Sequence, residues 1–205
     1  MRKVIFMTVL LATSVSNAKE PCPIFPTSHD SVKAGSSITW NHEKTSLLDK
    51  QGIEVGKRFP ISKMTNTKMS LEEVNFTGKV RLISILPSVD TPVCDAEINH
   101  IDQTTELTDG IERVTISMDL PYAQRRFGET NKLKNITFLS DYRTGDFGKQ
   151  SGLSIDRNGL LARALIVTDE NGIIRYMQIV PEITDMPDLK KAYAVANEIA
   201  LGNRK

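Results

Sequence analysis

One nearly continuous apolar and β-branched run, Val80-Arg81-Leu82-Ile83-Ser84-Ile85-Leu86, predicts a strand buried on both faces and stopped by Pro87. Similar runs predict strands at residues 113–118, 136–139, 162–168 and 173–180. The last two are joined by Asp169-Glu170-Asn171-Gly172, a strong hairpin turn. Upstream, residues 38–40 and 45–48 flank the polar stretch 41–44 and predict another hairpin. Helical spacing is expected over residues 95–107, where Ile98 and Ile101 lie one turn apart and Asp95 and Glu97 sit near the positive end. A short polar helix is expected over 70–76. The chain closes with a helix whose first turn holds Pro187 and Asp188, whose apolar face is Leu189, Tyr193, Ala196 and Ala200, and which Gly202 ends. Strands alternating with helices, then a hairpin and a helix, imply an α/β domain with a mixed sheet covered on both faces.

The first residues follow another pattern. Arg2 and Lys3 precede an apolar run over 4–15 and the small residues Ser16-Asn17-Ala18. That sequence describes a secretory signal peptide over 1–18, cleaved after Ala18. An apolar run of about 12 residues falls short of the roughly 20 that a membrane-spanning helix needs. The mature protein is then expected in an export compartment, where thiols tend to be oxidised. Residues 19–37, with Pro21, Pro23, Pro26, Gly35 and several serines, read as a flexible arm leading to a folded body over 38–205.

Composition narrows the function classes. The 205 residues hold 26 Lys and Arg against 25 Asp and Glu, which gives no electrostatic case for nucleic-acid binding. Three histidines and two cysteines leave little material for a structural zinc site.

Chemistry points to one loop. In Pro87-Ser88-Val89-Asp90-Thr91-Pro92-Val93-Cys94 a buried strand runs into a loop that delivers a cysteine to the start of a helix. Backbone N–H groups and the helix dipole at that position favour an anion, and so the thiolate, which is the attacking form. The Thr91 hydroxyl lies three residues before the sulfur, within reach of it or of a bound oxygen. Asp95 works against a second negative charge, so a nearby cation is required. Two other readings of the residues stand beside this one. Cys94 could be a small buried hydrophobe or half of a disulfide with Cys22.

The loop closely resembles the active-site loop of the peroxiredoxins, specifically of their thiol peroxidase subfamily. Three further segments resemble the same subfamily in the same order. They are Asp119-Leu120-Pro121-Tyr122-Ala123-Gln124-Arg125-Arg126-Phe127, then Gly159-Leu160-Leu161-Ala162-Arg163-Ala164 with Val167-Thr168-Asp169-Glu170, and Val180-Pro181-Glu182-Ile183-Thr184 with Pro187-Asp188. The opening hairpin is also a feature of that subfamily, and the likeness spans about residues 38–201. It implies a thioredoxin-like α/β fold, with a mixed central sheet flanked by helices and an N-terminal β-hairpin. It also implies reduction of hydrogen peroxide and of alkyl or lipid hydroperoxides by a peroxidatic cysteine, here Cys94. Thr91 would bond the peroxide and the sulfur, Arg163 would stabilise the thiolate and polarise the O–O bond, and Pro87 would shield the loop. Arg163 sits among Leu160, Leu161, Ala164, Leu165 and Ile166, and a buried arginine needs an anionic partner. No metal, haem, flavin or other cofactor is required. A homodimer and a bacterial periplasmic location follow from the resemblance alone.

One departure matters. Thiol peroxidases usually carry a resolving cysteine just after the Arg-Phe of the second segment, and here Gly128 stands there. The sulfenic acid on Cys94 would then be resolved by Cys22, or by an external small thiol or thioredoxin-like protein, or Cys22 is an incidental arm thiol. His29 and His42, in and near the arm, read as solvated loop or turn residues. Two other functions compete. A thiol–disulfide oxidoreductase on this fold lacks a second cysteine two residues from Cys94. A catalytically degenerate binding protein would not be expected to keep Cys94, Thr91 and Arg163 together.

Overall fold

The computed structural model describes residues 24–48 and 52–202. The signal peptide over 1–18 and Cys22 lie outside the described residues. In chain order the elements are β1 (Ser37–Trp40), β2 (Glu43–Ser46), β3 (Ser62–Asn66), β4 (Leu71–Val74), β5 (Arg81–Ile85), α1 (Pro92–Gln103) and β6 (Glu112–Ser117). There follow α2 (Pro121–Asn131), β7 (Ile136–Ser140), α3 (Asp146–Ser151), β8 (Ala164–Thr168), β9 (Ile174–Ile179) and α4 (Leu189–Gly202).

β3 to β9 form one sheet in the order β4-β3-β7-β6-β5-β8-β9, with β5 parallel to β6 and antiparallel to β8. The apolar run read as a doubly buried strand is its centre. Ile83 and Ile85 turn to one face, with Ile116, Ile166 and Phe147, and Leu82 turns to the other, with Leu165, Val167 and Tyr193. This is the two-residue alternation of a strand covered on both sides.

The expected hairpin forms, but its turn is shorter than the four residues read from the pattern. Trp40 pairs with Glu43 around Asn41 and His42, whose φ angles are 50° and 67°. Two residues at positive φ give the turn whose twist suits a hairpin. The Asn41 and His42 N–H groups both donate to the Glu182 carboxylate, at 3.0 and 2.9 Å, which holds this conformation.

Four further differences have local causes. Residues 70–76 are not a helix. Leu71–Val74 pairs antiparallel with β3, an unread strand, around a turn in which Asn66 Oδ1 accepts the Lys68 and Ser70 N–H groups. Charged Glu72 and Glu73 suit this edge strand. Helix α1 stops at Gln103 rather than 107, because Arg113 Nη1 donates to the Ile101 and Asp102 carbonyls and its Nη2 to that of Thr104. Helices α2 and α3 are additional to the expected elements: Pro121 opens the first, and left-handed Gly145 and Gly152 bound the second. Pro187 and Asp188 precede α4 rather than forming its first turn, and Asp188 Oδ1 caps it by accepting the Lys191 N–H at 3.0 Å.

The segment read as a flexible arm is docked over its described part. Ser28 and Met186 exchange hydrogen bonds with the opposite segment, Ser28 N–H to the Met186 carbonyl (2.8 Å) and Met186 N–H to the Pro26 carbonyl (2.7 Å). Gln178 Nε2 donates to the Ser28 and Asp30 carbonyls, and the Val32 N–H donates to the Ile179 carbonyl. The polar composition of this strap hid its role as a partner for β9, the outer strand of the sheet. It lies at the Ile179 end of β9, which is the end at which β8 begins.

Candidate active site

Antiparallel pairing of β5 with β8 sets Ile85 opposite Ala164. The residue before Ala164 therefore lies beside the chain that leaves β5 for α1. That residue is Arg163, and the third residue of α1 is Cys94. Arg163 is 1% exposed and Cys94 is fully buried. Arg163 Nη2 donates to Cys94 Sγ at 3.2 Å, Nη1 donates to Glu97 Oε2, and Nε donates to the Ile183 carbonyl at 2.9 Å.

Glu97 had been read only as an acidic residue near the positive end of its helix. It lies one turn after Cys94 on the same helix face, fully buried, and its second oxygen accepts the Ser84 hydroxyl at 2.6 Å. Burial works against the Arg163 charge, but Glu97 and Cys94 more than offset it and hold the guanidinium more firmly protonated than usual. Glu97 thus supplies the anion a buried arginine requires. It neutralises part of the positive charge and in exchange sets the direction of the donor that remains for sulfur. The spacing Cys94–Glu97 could have identified it; nothing in the sequence marks Ser84.

Thr91 stands at the start of α1, half-buried, and its hydroxyl donates to the Ser88 carbonyl at 3.3 Å rather than to sulfur. Pro87 is buried where β5 gives way to the loop. Asp95, the expected opponent of a thiolate, has its Oδ1 engaged by Asn99 Nδ2 at 2.7 Å. Leu86, Val89, Ile98 and Phe138 pack with Cys94 as an apolar wall. Gly128 lies behind that wall: a Cβ there would meet Phe138 Cε2 at 3.3 Å. His29 and His42 are surface residues as expected, with side chains 75% and 93% exposed.

The site therefore couples a sulfur to a fixed cation at the N-terminus of a helix, against an apolar wall. Such an arrangement can stabilise negative charge that develops on the sulfur and on atoms bonded to it.

Residues 54–195 match the Redoxin family. The chain is 38% identical over 162 residues to a thiol peroxidase of Halalkalibacterium halodurans, a span that covers 78% of this chain and 97% of that protein. It is 35% identical over 165 residues to a thiol peroxidase of Bacillus subtilis, covering 80% and 98%. Among solved structures, a peroxiredoxin-like protein from Aquifex aeolicus superposes with a TM-score of 0.73 at 30% identity, covering 82% of this chain and 99% of the other. A thiol peroxidase from Chromobacterium violaceum, at 19% identity and a TM-score of 0.67, shares the fold.

Proposed function

The chain belongs to the Redoxin family, as a peroxiredoxin-type thiol peroxidase, and from that premise we propose that Cys94 is its peroxidatic residue, with Arg163 and Thr91 as catalytic partners. The observation that carries this reading is the 3.2 Å donor from buried Arg163 to Cys94 Sγ.

The Cys94 thiolate attacks the terminal oxygen of a hydroperoxide. An S–O bond forms, the O–O bond breaks, and the departing alkoxide or hydroxide takes a proton and leaves as alcohol or water. Arg163 and the first N–H groups of α1 stabilise the negative charge spread over sulfur and both oxygens. The sulfur is covered in this conformation, and the neighbouring Asp90 and Pro92 are exposed. Entry of substrate is assigned to a small displacement of that loop. The apolar wall of Leu86, Val89 and Phe138 suits the organic part of an alkyl hydroperoxide.

The second half-reaction needs another thiol, whose sulfur attacks the sulfenic sulfur, forming S–S and releasing water. An external thiol reductant can serve directly. The docked strap favours Cys22 as a resolving residue within the same chain. Pro26 is held at the active-site end of the sheet by Met186, and Cys22, four residues earlier, has a reach of about 14 Å from it. The mature enzyme is assigned to the export compartment addressed by residues 1–18.

Two substitutions test the reading. Cys94→Ser is expected to abolish hydroperoxide consumption; retained turnover overturns the assignment of the peroxidatic residue. Treatment of the protein with one equivalent of peroxide is expected to yield an intrachain Cys22–Cys94 disulfide by mass spectrometry, absent in Cys22→Ser. If wild type forms no such bond while turning over with an external thiol, Cys22 is not the resolver.

A further inference from the structure

A carboxylate outside the reacting centre holds the loop that leads to it. Ser117 and Asp119 lie at and just beyond the end of β6, next to the loop leaving the parallel strand β5, since Ile85 pairs with Ile116 and the Leu86 N–H donates to the Ile116 carbonyl. Asp119 Oδ1 accepts the Ser88 hydroxyl at 2.7 Å. Its Oδ2 accepts the Val89 N–H at 2.8 Å and the Ser117 hydroxyl at 2.7 Å. The Asp119 carbonyl accepts the Ser140 hydroxyl from β7, and Ser117 Oγ accepts Gln124 Nε2 from α2 at 3.0 Å. Asp119 is thus held by β6 through its carboxylate and by β7 through its carbonyl, and α2 steadies the Ser117 donor.

What it fixes is the Ser88 residue, and Ser88 in turn holds Thr91. The Ser88 carbonyl accepts the Thr91 hydroxyl at 3.3 Å and the Thr91 N–H at 3.4 Å, while Ser88 Oγ accepts the Asp90 N–H at 3.1 Å. A hydroxyl has one hydrogen and two lone pairs. With its hydrogen turned to Ser88, the Thr91 hydroxyl has lone pairs left to accept the O–H of a hydroperoxide.

We infer that Asp119 is a positioning residue for the peroxidase reaction: through Ser88 it sets the direction of the Thr91 hydroxyl, and with it the orientation of the bound hydroperoxide. The inference rests on Cys94 being the attacking sulfur.

A double-mutant cycle on the full-length enzyme tests it. Asp119→Ala is expected to lower the second-order rate constant for hydroperoxide consumption on the order of tenfold, the cost of a modest misplacement near the reacting atoms. In a Thr91→Val background the same change is expected to cost less than about twofold, because a residue acting through Thr91 loses its effect with it. Alkylation of Cys94 by iodoacetamide, which needs no orienting hydroxyl, is expected to keep its wild-type rate. The inference is overturned if Asp119→Ala consumes hydroperoxide as fast as wild type, if its loss persists undiminished without the Thr91 hydroxyl, or if alkylation slows in step. Should Asp119→Ala not fold, Ser88→Ala removes one of the three donors, leaves the Val89 N–H in place, and enters the same cycle. Failure of Cys94→Ser to stop turnover would sink the underlying assignment separately.

Discussion

The strand β8 has a guanidinium–carboxylate pair at each end. Before its first residue, Arg163 meets Glu97 with both side chains almost wholly out of water; after its last, Asp169 meets Arg175 Nη2 at 2.6 Å with the arginine side chain half exposed. At the solvent end the carboxylate also accepts the Asn171 and Ile173 N–H groups, each at 2.9 Å, so it organises the turn whether or not the arginine is present. At the buried end neither partner has water to fall back on. Desolvating two such charges costs about as much as their attraction returns, so a buried pair is weak as a stabilising device. What the pair does instead is direct the third donor, which reaches Cys94 Sγ. The same chemical pair thus shapes a turn at one end and aims a charge at the other.

The sharpest way to break this contrast is Arg163→Met. Hydroperoxide consumption is expected to fall on the order of 10²–10³-fold, as when one preorganised donor to a developing anion is lost. Stability is expected to fall by about 3–5 kcal/mol in urea unfolding, because Glu97 is left buried and unpaired. Adding Glu97→Leu separates the two effects: it is expected to recover much of the stability and none of the activity. A double variant that regained turnover would show that Arg163 serves only to satisfy Glu97.

Between the two extremes stands Glu182, beside Ile183 at the active-site end but partly reached by solvent. Burial opposes its charge, but donors from Thr184, Thr39 and the His42 N–H prevail and pull its carboxyl down to about 2, against an ordinary 4.5. A depressed carboxyl contributes stability that is complete above the unfolded value and fades as pH falls from about 4.5 toward 2. Glu182→Gln is expected to cost about 1.5–3 kcal/mol at neutral pH, the range for hydrogen bonds to a charged acceptor. It is also expected to flatten the acid limb of the stability profile, measured by urea unfolding across that range. An unchanged acid limb would place the titrating group elsewhere.

What could be read in advance divides along the same line. The β8–β9 turn was legible because Asp169 bonds residues two and four positions on, and a local pattern carries local structure. The central strands were legible because burial on both faces leaves little room for polar residues. Strands β3 and β4 were not: Glu72 and Glu73 on an edge break the apolar alternation, and Met64 is buried without any neighbouring pattern to announce it. At the site, resemblance named Cys94, Thr91 and Arg163, and the fold brings Arg163 to the sulfur from 69 residues away. Glu97 and Asp119 went unread in their roles because their partners, 66 and about 30 residues distant, are set by sheet order rather than by adjacency. The docking of the strap is not legible in the sequence for a similar reason, its partner Gln178 lying some 150 residues ahead.

The smallest expected effect closes the contrast from its other side. In Arg175→Met the Asp169 carboxylate keeps both backbone donors, and water replaces the guanidinium at a position that is already half exposed. Exposed ion pairs of this kind contribute about 0–1 kcal/mol, so urea unfolding is expected to shift by less than about 1 kcal/mol. Hydroperoxide consumption is expected to match wild type, since the turn lies at the end of β8 away from Cys94. The carboxylate itself is held below its ordinary value: burial opposes the charge, but the Ile173 and Asn171 N–H groups and Arg175 outweigh it. In Arg175→Met the two N–H groups continue to do so, so the acid dependence contributed by Asp169 shrinks without vanishing. A loss as large as that of Arg163→Met would mean that exposure does not separate the two pairs, and the distinction between the two ends of β8 would have to rest on the sulfur alone.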